Sequence, residues 1–311
     1  MNQNKKAEIF SLSKFCITTK SFQNLFALFI FLFCAGSCIG QISDTPTFCW
    51  MALSKEERKP TIIFGTVHHL GPKPILQNKQ LMKFVLASKV IVLESDTTEL
   101  LHTKDTGEDY TSNIPLDELL GFTDYQFVKN EFYSATGKNL DEYKNWMPTI
   151  IMTMIDNGKE LQEKNVDHTP LMENAFYAVS VVYKIPIVGL ETRKQNFELM
   201  YKSMPLKAQA ELLMYDLRDL KFNNDEVVSQ NCFEKNDLQC LCNMDDMNNY
   251  TRPGDSTIII TRNLFWINEI KKYVNQGNAF VAVGAAHLCG NFSIIALLKK
   301  EGYFVVPILL K

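Results

Sequence analysis

Apolar and polar positions along this chain fall into blocks whose period changes several times. Residues 48–53 and 60–64 are short apolar runs on either side of the charged turn Ser54-Lys55-Glu56-Glu57-Arg58-Lys59, a pattern that predicts a β-hairpin. The second run leads straight into Gly65-Thr66-Val67-His68-His69-Leu70-Gly71-Pro72. A helical stretch over residues 78–88 follows, then the apolar strand Val90-Ile91-Val92-Leu93, which ends on Glu94-Ser95-Asp96. A similar order recurs near the C-terminus. There the strand Ala279-Phe280-Val281-Ala282-Val283 meets Gly284-Ala285-Ala286-His287, a helix covers residues 292–301, and a strand at 303–309 closes the chain. The two ends read as one strand, Gly-x-x-His, helix, strand unit used twice.

Between these units the apolar spacing is three and four, which predicts helices over residues 116–120, 125–134, 140–157, 170–182 and 205–221. One short strand, residues 185–190, interrupts them and ends on Glu191. Residues 103–113 read as a polar loop, and residues 223–255 as the least ordered stretch, an insertion or a lid. Continuous apolar strands alternating with helices predict an α/β fold: two similar units building a mostly parallel sheet core, with a large helical middle region. In such sheets ligands collect at the carboxyl ends of the strands. Both His68 and His287 fall at strand ends of that kind.

Composition narrows the picture. A chain of 311 residues with 46% hydrophobic content can bury a large core, and residues 41–311 read as a single domain behind a leader at 1–40. The net charge of −3 becomes −6 without that leader, with 28 basic against 34 acidic residues, which argues against a nucleic-acid partner. The leader carries four lysines, then the apolar run Leu25 to Phe33, then Ala35, Gly36 and Ser37, the order of a targeting segment. Cleavage near Gly40, lipid attachment at Cys38 and an uncleaved anchor are the competing readings. Each places the remaining chain outside the cytoplasm, with a membrane involved only through the N-terminus. Cys49, Cys232, Cys240, Cys242 and Cys289 remain, an odd number that leaves one thiol over. The cluster Cys232, Cys240, Cys242 reads as a disulfide-stapled loop. A zinc knuckle is the alternative, against which stands the unusual Cys-x-Cys spacing.

A lone histidine after a strand is more often a packed or capped residue than a functional one. Two in equivalent positions, in a chain with five histidines, change that balance. A neutral imidazole held at a sheet rim can bind a divalent metal or move a proton. Gly65 and Gly284 would permit backbone angles or close approach that a side chain would block at the strand exits. Glu94 and Glu191, each after a neighbouring strand, would complete a site suited to zinc, manganese, cobalt or iron. Metal would lower the pKa of a bound water, and Glu191 could then act as general base. Arg262, opening a helix that runs towards Tyr273, would clamp a carboxylate or stabilise an oxyanion, or else is an ordinary salt-bridged helix residue. His69 reads as a neighbour of the site, and His102 and His168 have no partners in view.

The segment Thr61–Gly71 (TIIFGTVHHLG), the strand end Val92-Leu93-Glu94-Ser95-Asp96, Gly189-Leu190-Glu191-Thr192, Arg262-Asn263, and Phe280–Leu288 (FVAVGAAHL) with Glu301 to Pro307 together resemble the TraB/GumN/Tiki family over residues 48–310. The resemblance implies that His68, His287, Glu94 and Arg262 are the family's site residues. Tiki members are metal-dependent proteases acting on extracellular signalling peptides, and other members are linked to pheromone shutdown. It therefore implies an exported metallohydrolase of the peptidase kind, acting on a peptide or small amide. Metal-activated water would attack, with His68, Glu94 and His287 as ligands, Glu191 assisting and Arg262 orienting substrate. The alternative is an exported protein of the same fold that binds a metal, haem or peptide without turnover. The doubled His68-His69 departs from the pattern, as does Cys289 just past the second motif, which is either a further ligand or a disulfide partner.

Overall fold

The two strands that carry the Gly-x-x-His motifs become neighbours. In a computed structural model, which describes residues 46–56, 59–95, 109–164, 171–218, 222–244 and 253–310, strand β1 (Cys49–Leu53) forms the expected antiparallel hairpin with β2 (Thr61–Thr66). Next come β3 (Val90–Ser95), β4 (Ile187–Glu191), β5 (Ala279–Gly284) and β6 (Phe304–Ile308). The sheet order is β4-β3-β5-β2-β1-β6. β2 and β5 pair in parallel, Gly65 opposite Val283 and Thr66 opposite Gly284. β3 runs parallel to both β5 and β4, while β6 pairs antiparallel with β1. The carboxyl ends of β2, β3, β4 and β5 therefore share one edge. The chain's α/β class with a mostly parallel sheet is thus observed, and every residue of β2 and β5 is buried, as strands covered on both faces require.

The helices are α1 (Lys73–Gln77), α2 (Lys79–Ala87), α3 (Leu116–Thr136), α4 (Pro148–Lys164), α5 (Asn174–Tyr183), α6 (Arg193–Phe197), α7 (Leu206–Arg218), α8 (Phe222–Glu234), α9 (Leu238–Cys242), α10 (Arg262–Gln276) and α11 (Ile294–Lys300). The main core joins Ile63, Phe64, Phe280 and Val281 of the sheet to Leu81 and Val85 of α2, Phe176 of α5, Trp266 and Ile270 of α10, and Leu298 of α11. Helices α3, α4 and α7 have a core of their own, built on Leu116, Val128, Phe132, Ile151, Ile155 and Leu213. Part of the predicted helical middle, α3, α4 and α7, therefore packs on a core of its own, while α5 joins the core of the sheet.

Three expectations change. Residues 116–120 and 125–134 merge into α3, broken at Gly121, whose φ of 73° leaves the helical region. The helix expected over 140–157 is a single 3-10 turn at Leu140–Glu142 followed by α4 from Pro148. Proline suits the first helical position and keeps its predecessor extended. Residues 223–255 were expected to be loose, yet they contain α8 and α9. Disulfides Cys232–Cys240 and Cys242–Cys289 fasten these helices, and among the described residues Cys49 is the free, buried thiol. Cystines take over part of the buried face that ordinary apolar residues would supply, which hid the helices from a hydrophobic count. The leader, most of the predicted polar loop, His102 and His168 lie outside the described residues. Among the described residues no helix is long and apolar enough to cross a membrane.

Candidate functional site

Each Gly-x-x-His motif folds as a strand exit followed by one 3-10 turn, His68–Leu70 after β2 and Ala285–Leu288 after β5. The glycines are required by close approach. A Cβ on Gly65 would stand 3.1 Å from the Ala285 Cα and 3.0 Å from Leu288 Cδ1, so the first glycine admits the second turn. A Cβ on Gly284 would stand 3.1 Å from Glu94 Oε1, 3.5 Å from His68 Nε2 and 3.7 Å from His287 Cδ2. The second glycine thus leaves open the point on which three of the predicted site residues converge.

Glu94 lies within β3. Its Oε1 accepts from the Gly284 N–H at 2.6 Å and lies 3.7 Å from His287 Nε2, and its Oε2 accepts from Arg262 at 2.7 Å. Burial works against its charge, but Arg262, the two imidazoles and the Gly284 amide outweigh that and hold its pKa down at about 2. Arg262, only 4% exposed, also donates to Glu191 Oε1 at 2.8 Å and stacks on Trp266, its guanidinium carbon 4.3 Å from the ring centre. Desolvation opposes its charge, and the two glutamates more than restore it, raising its pKa. It also contacts His287, Nη1 standing 3.4 Å from Nε2.

From sequence Glu191 is expected to face the cleft as a base. In the structure it is buried and both its oxygens are engaged: Arg262 and Asn196 donate to Oε1, at 2.8 and 2.6 Å, and the Trp266 indole donates to Oε2 at 2.8 Å. It braces Arg262 from behind.

The histidines, equivalent in sequence, differ in surroundings. His287 is 3% exposed, its Nδ1 is 2.7 Å from Asn263 Oδ1, and its ring packs on Trp266 with centres 4.5 Å apart. Burial is the main reason its pKa falls to about 3, Arg262 and His68 adding to the effect against Glu94. It is the neutral imidazole that was expected. The side chain of His68 is 55% exposed and its Nδ1 forms an ion pair with Glu173 Oε1 at 2.7 Å. Burial lowers its pKa, but contact with Glu173 and the charges of Glu173 and Glu94 prevail and raise it to about 9. Two neutral imidazoles were expected; without a metal, Glu173 favours the charged form of His68. His69 points elsewhere, to Ser229 at 3.1 Å. Cys289 is tied to Cys242 and is no free ligand.

The donor chemistry, two imidazoles and a carboxylate around a cradle that a single Cβ would fill, fits a borderline divalent cation. The shell is not drawn in, because among the described residues no three His, Cys, Asp or Glu side chains stand at ligand spacing. Near the same strand ends, Arg262 Nε is buried without a hydrogen-bond partner among the described residues.

Glu173, Asn196 and Trp266 escape the sequence. An acid at the start of α5 reads as an ordinary helix-end residue. Its loop reaches the first motif through backbone: Met172 N–H donates to the His68 carbonyl at 3.0 Å. For α10 a signal existed, since Asn263, Trp266, Ile267, Ile270 and Val274 fall at helical spacing and all are buried. A polar pair continuing an apolar stripe marks Arg262 and Asn263 as inward-facing.

The TraB/PrgY/gumN family model matches residues 49–307, a span that holds both motifs and all of these side chains. No curated protein and no solved structure matches the chain.

Proposed function

The chain belongs to the TraB/PrgY/gumN family, and from that premise we propose that it is an exported metal-dependent hydrolase that cleaves amide or peptide bonds. The observation that carries this reading is the convergence of His68 Nε2, Glu94 Oε1 and the His287 ring on the open face of Gly284. His68 and His287 through Nε2, and Glu94 through Oε1, are the residues that would hold zinc, manganese, cobalt or iron. Bound there, such an ion supplies a water acidic enough to react near neutral pH. Arg262 places a fixed positive charge beside Glu94 and His287, where an oxyanion would gain most from it. Glu191, its oxygens accepting from Arg262, Asn196 and Trp266, keeps that guanidinium in place. His68, half open to solvent, marks the side from which a substrate reaches the cradle. Export is supported by two disulfides, which persist in oxidising compartments. A peptide or small-amide substrate rests on the family resemblance.

The test is cleavage of a mixed peptide library by the purified chain, after chelation and after return of each divalent ion. Activity should vanish and return, and the double variant His68→Ala/His287→Ala should have none. Undiminished cleavage by that variant refutes the proposal. A second reading, binding without turnover, is favoured by Glu191: Arg262, Asn196 and Trp266 engage both oxygens of the carboxylate that was expected to act as the base. Stoichiometric metal uptake without cleavage of any library member would select it.

A further inference from the structure

Asn263 lies beside Arg262 but takes no part in the ion pairs of the site. It is completely buried, and its amide nitrogen donates to two backbone carbonyls, His287 O at 3.1 Å and Phe292 O at 2.9 Å. Both amide protons are thereby used, and the carboxamide can lie only one way round. Oδ1 is left facing His287 Nδ1 at 2.7 Å. A carboxamide oxygen accepts and never donates, so Nδ1 must carry the hydrogen. In a neutral ring the lone pair then falls on Nε2, the nitrogen that faces Glu94 and Arg262.

We propose that Asn263 is a positioning residue that fixes His287 as its Nδ1–H tautomer and so turns the basic nitrogen Nε2 to the cleft. This rests on the reading of His287 as a metal ligand. The residue clamps ring and backbone together, since the same amide that accepts from the ring donates to the carbonyl of His287. An amide also suits this place better than a carboxylate. Arg262 already faces two glutamates, and a further anion in this buried corner would have no counter-charge. At half-exposed His68 the corresponding oxygen belongs to Glu173, where water helps to carry the charge.

The test uses the full chain with chelator present. Imidazole 15N NMR on histidine-labelled protein, with His287 identified by the spectrum lost in His287→Gln, should show protonated Nδ1 and bare Nε2. In Asn263→Leu the tautomer should become mixed, and Asn263→Asp, which keeps an acceptor for Nδ1–H, should restore it. Zn(II) titration by calorimetry should show affinity lowered roughly 10- to 100-fold in Asn263→Leu, the usual effect of losing a group that orients a ligand. A protonated Nε2 in the wild-type chain overturns the inference whether or not the variants fold. So does an Asn263→Leu chain that keeps both tautomer and Zn(II) affinity. Protonated Nδ1 with no Zn(II) binding by the wild-type chain supports the role of Asn263 and refutes the metal reading alone.

Discussion

Alanine at the two motif glycines should give opposite phenotypes, although the glycines occupy matching places in the sequence. At Gly284 the backbone has φ −52° and ψ 137°, angles open to any residue, so alanine adds no backbone strain. Its methyl meets the end of a side chain, Glu94 Oε1 at 3.1 Å, which can give by a few tenths of an ångström. Overpacking typically costs about 1–3 kcal/mol. A movable contact sits at the low end, and the unfolded chain loses about 0.4–1 kcal/mol of freedom in compensation. The net stability change of Gly284→Ala should lie within about 1 kcal/mol. Yet Glu94 and His68 must back away from the cradle, so Zn(II) affinity should fall at least tenfold. At Gly65 the methyl meets backbone, the Ala285 Cα at 3.1 Å, along with Leu288 Cδ1 at 3.0 Å. Relief there means parting the second turn from β2, at the upper end of about 1–3 kcal/mol or beyond. For a chain of this size each kcal/mol lowers Tm by about 2–4 °C. Thermal melts and Zn(II) calorimetry on both variants are the assay. Equal losses of Tm, or a Gly284→Ala chain that binds Zn(II) as the wild type does, would refute the assignment of the cradle.

Replacing Arg262 by methionine takes the counter-charge from buried Glu191 and from half-buried Glu94, and urea unfolding should show a loss of about 3–5 kcal/mol; a loss below 1 kcal/mol would mean the ion-pair cluster is not as described. The pH dependence of the metal-free chain follows from His287 and Glu94 on the acid side and from His68, whose pKa, raised to about 9, contributes a smaller opposing gain that is full below 6.5 and lost as pH rises through 9. The unfolded chain protonates His287 near its ordinary 6.5 while the folded one resists to about 3, so stability falls as pH drops below 6.5. Glu94, depressed from 4.5 to about 2, adds a further loss below 4.5. Urea midpoints at several pH values should show the first decline, His287→Gln should remove it, and a flat midpoint from pH 7 to 5 would contradict the burial of that ring. Removing Cys242–Cys289, with its sequence separation of 47, should cost about 4 kcal/mol against about 2.5 kcal/mol for Cys232–Cys240, with its separation of 8; the reverse ranking by denaturation would show that chain entropy is not what these bridges act on.

The strands and their order were legible because period and length are local properties. Six apolar runs bounded by Gly, Pro or charge became six strands, and Glu94, Glu191, His68 and His287 came to one sheet edge because they follow strands that run the same way. Sheet order was not legible: β3 sits beside β5, which follows it by almost two hundred residues, and no local pattern encodes that pairing. For the same reason the repeated unit of the sequence is not repeated in space. β2 and β5 are adjacent, whereas their closing strands β3 and β6 lie towards opposite edges. Helices α8 and α9 were hidden because few of their buried positions carry ordinary apolar residues: Ser229 and Cys232 serve in α8, and Cys242 beside Leu238 and Leu241 in α9.

Sequence symmetry also misled about charge, and the reason is physical. A Gly-x-x-His motif determines where an imidazole stands, but its protonation depends on how deeply the ring is buried and on the groups around it, and these come from other parts of the chain. Behind His287 Nδ1 stands the neutral amide of Asn263, on a helix that begins twenty-five residues upstream; behind His68 Nδ1 stands the carboxylate of Glu173, more than a hundred residues downstream. One ring is thereby held neutral and sealed, the other charged and half open. A cation entering the cradle would have to displace the proton of His68 and would leave Glu173 to accept from Nδ1–H, while His287 needs no change at all. Metal uptake should therefore release protons through His68 and be steeper in pH than two neutral imidazoles would make it. Measured in two buffers of different ionisation enthalpy at pH 7.5, Zn(II) binding should release close to one proton more in the wild-type chain than in Glu173→Gln. Equal release from both would mean that Glu173 does not hold the charge on His68.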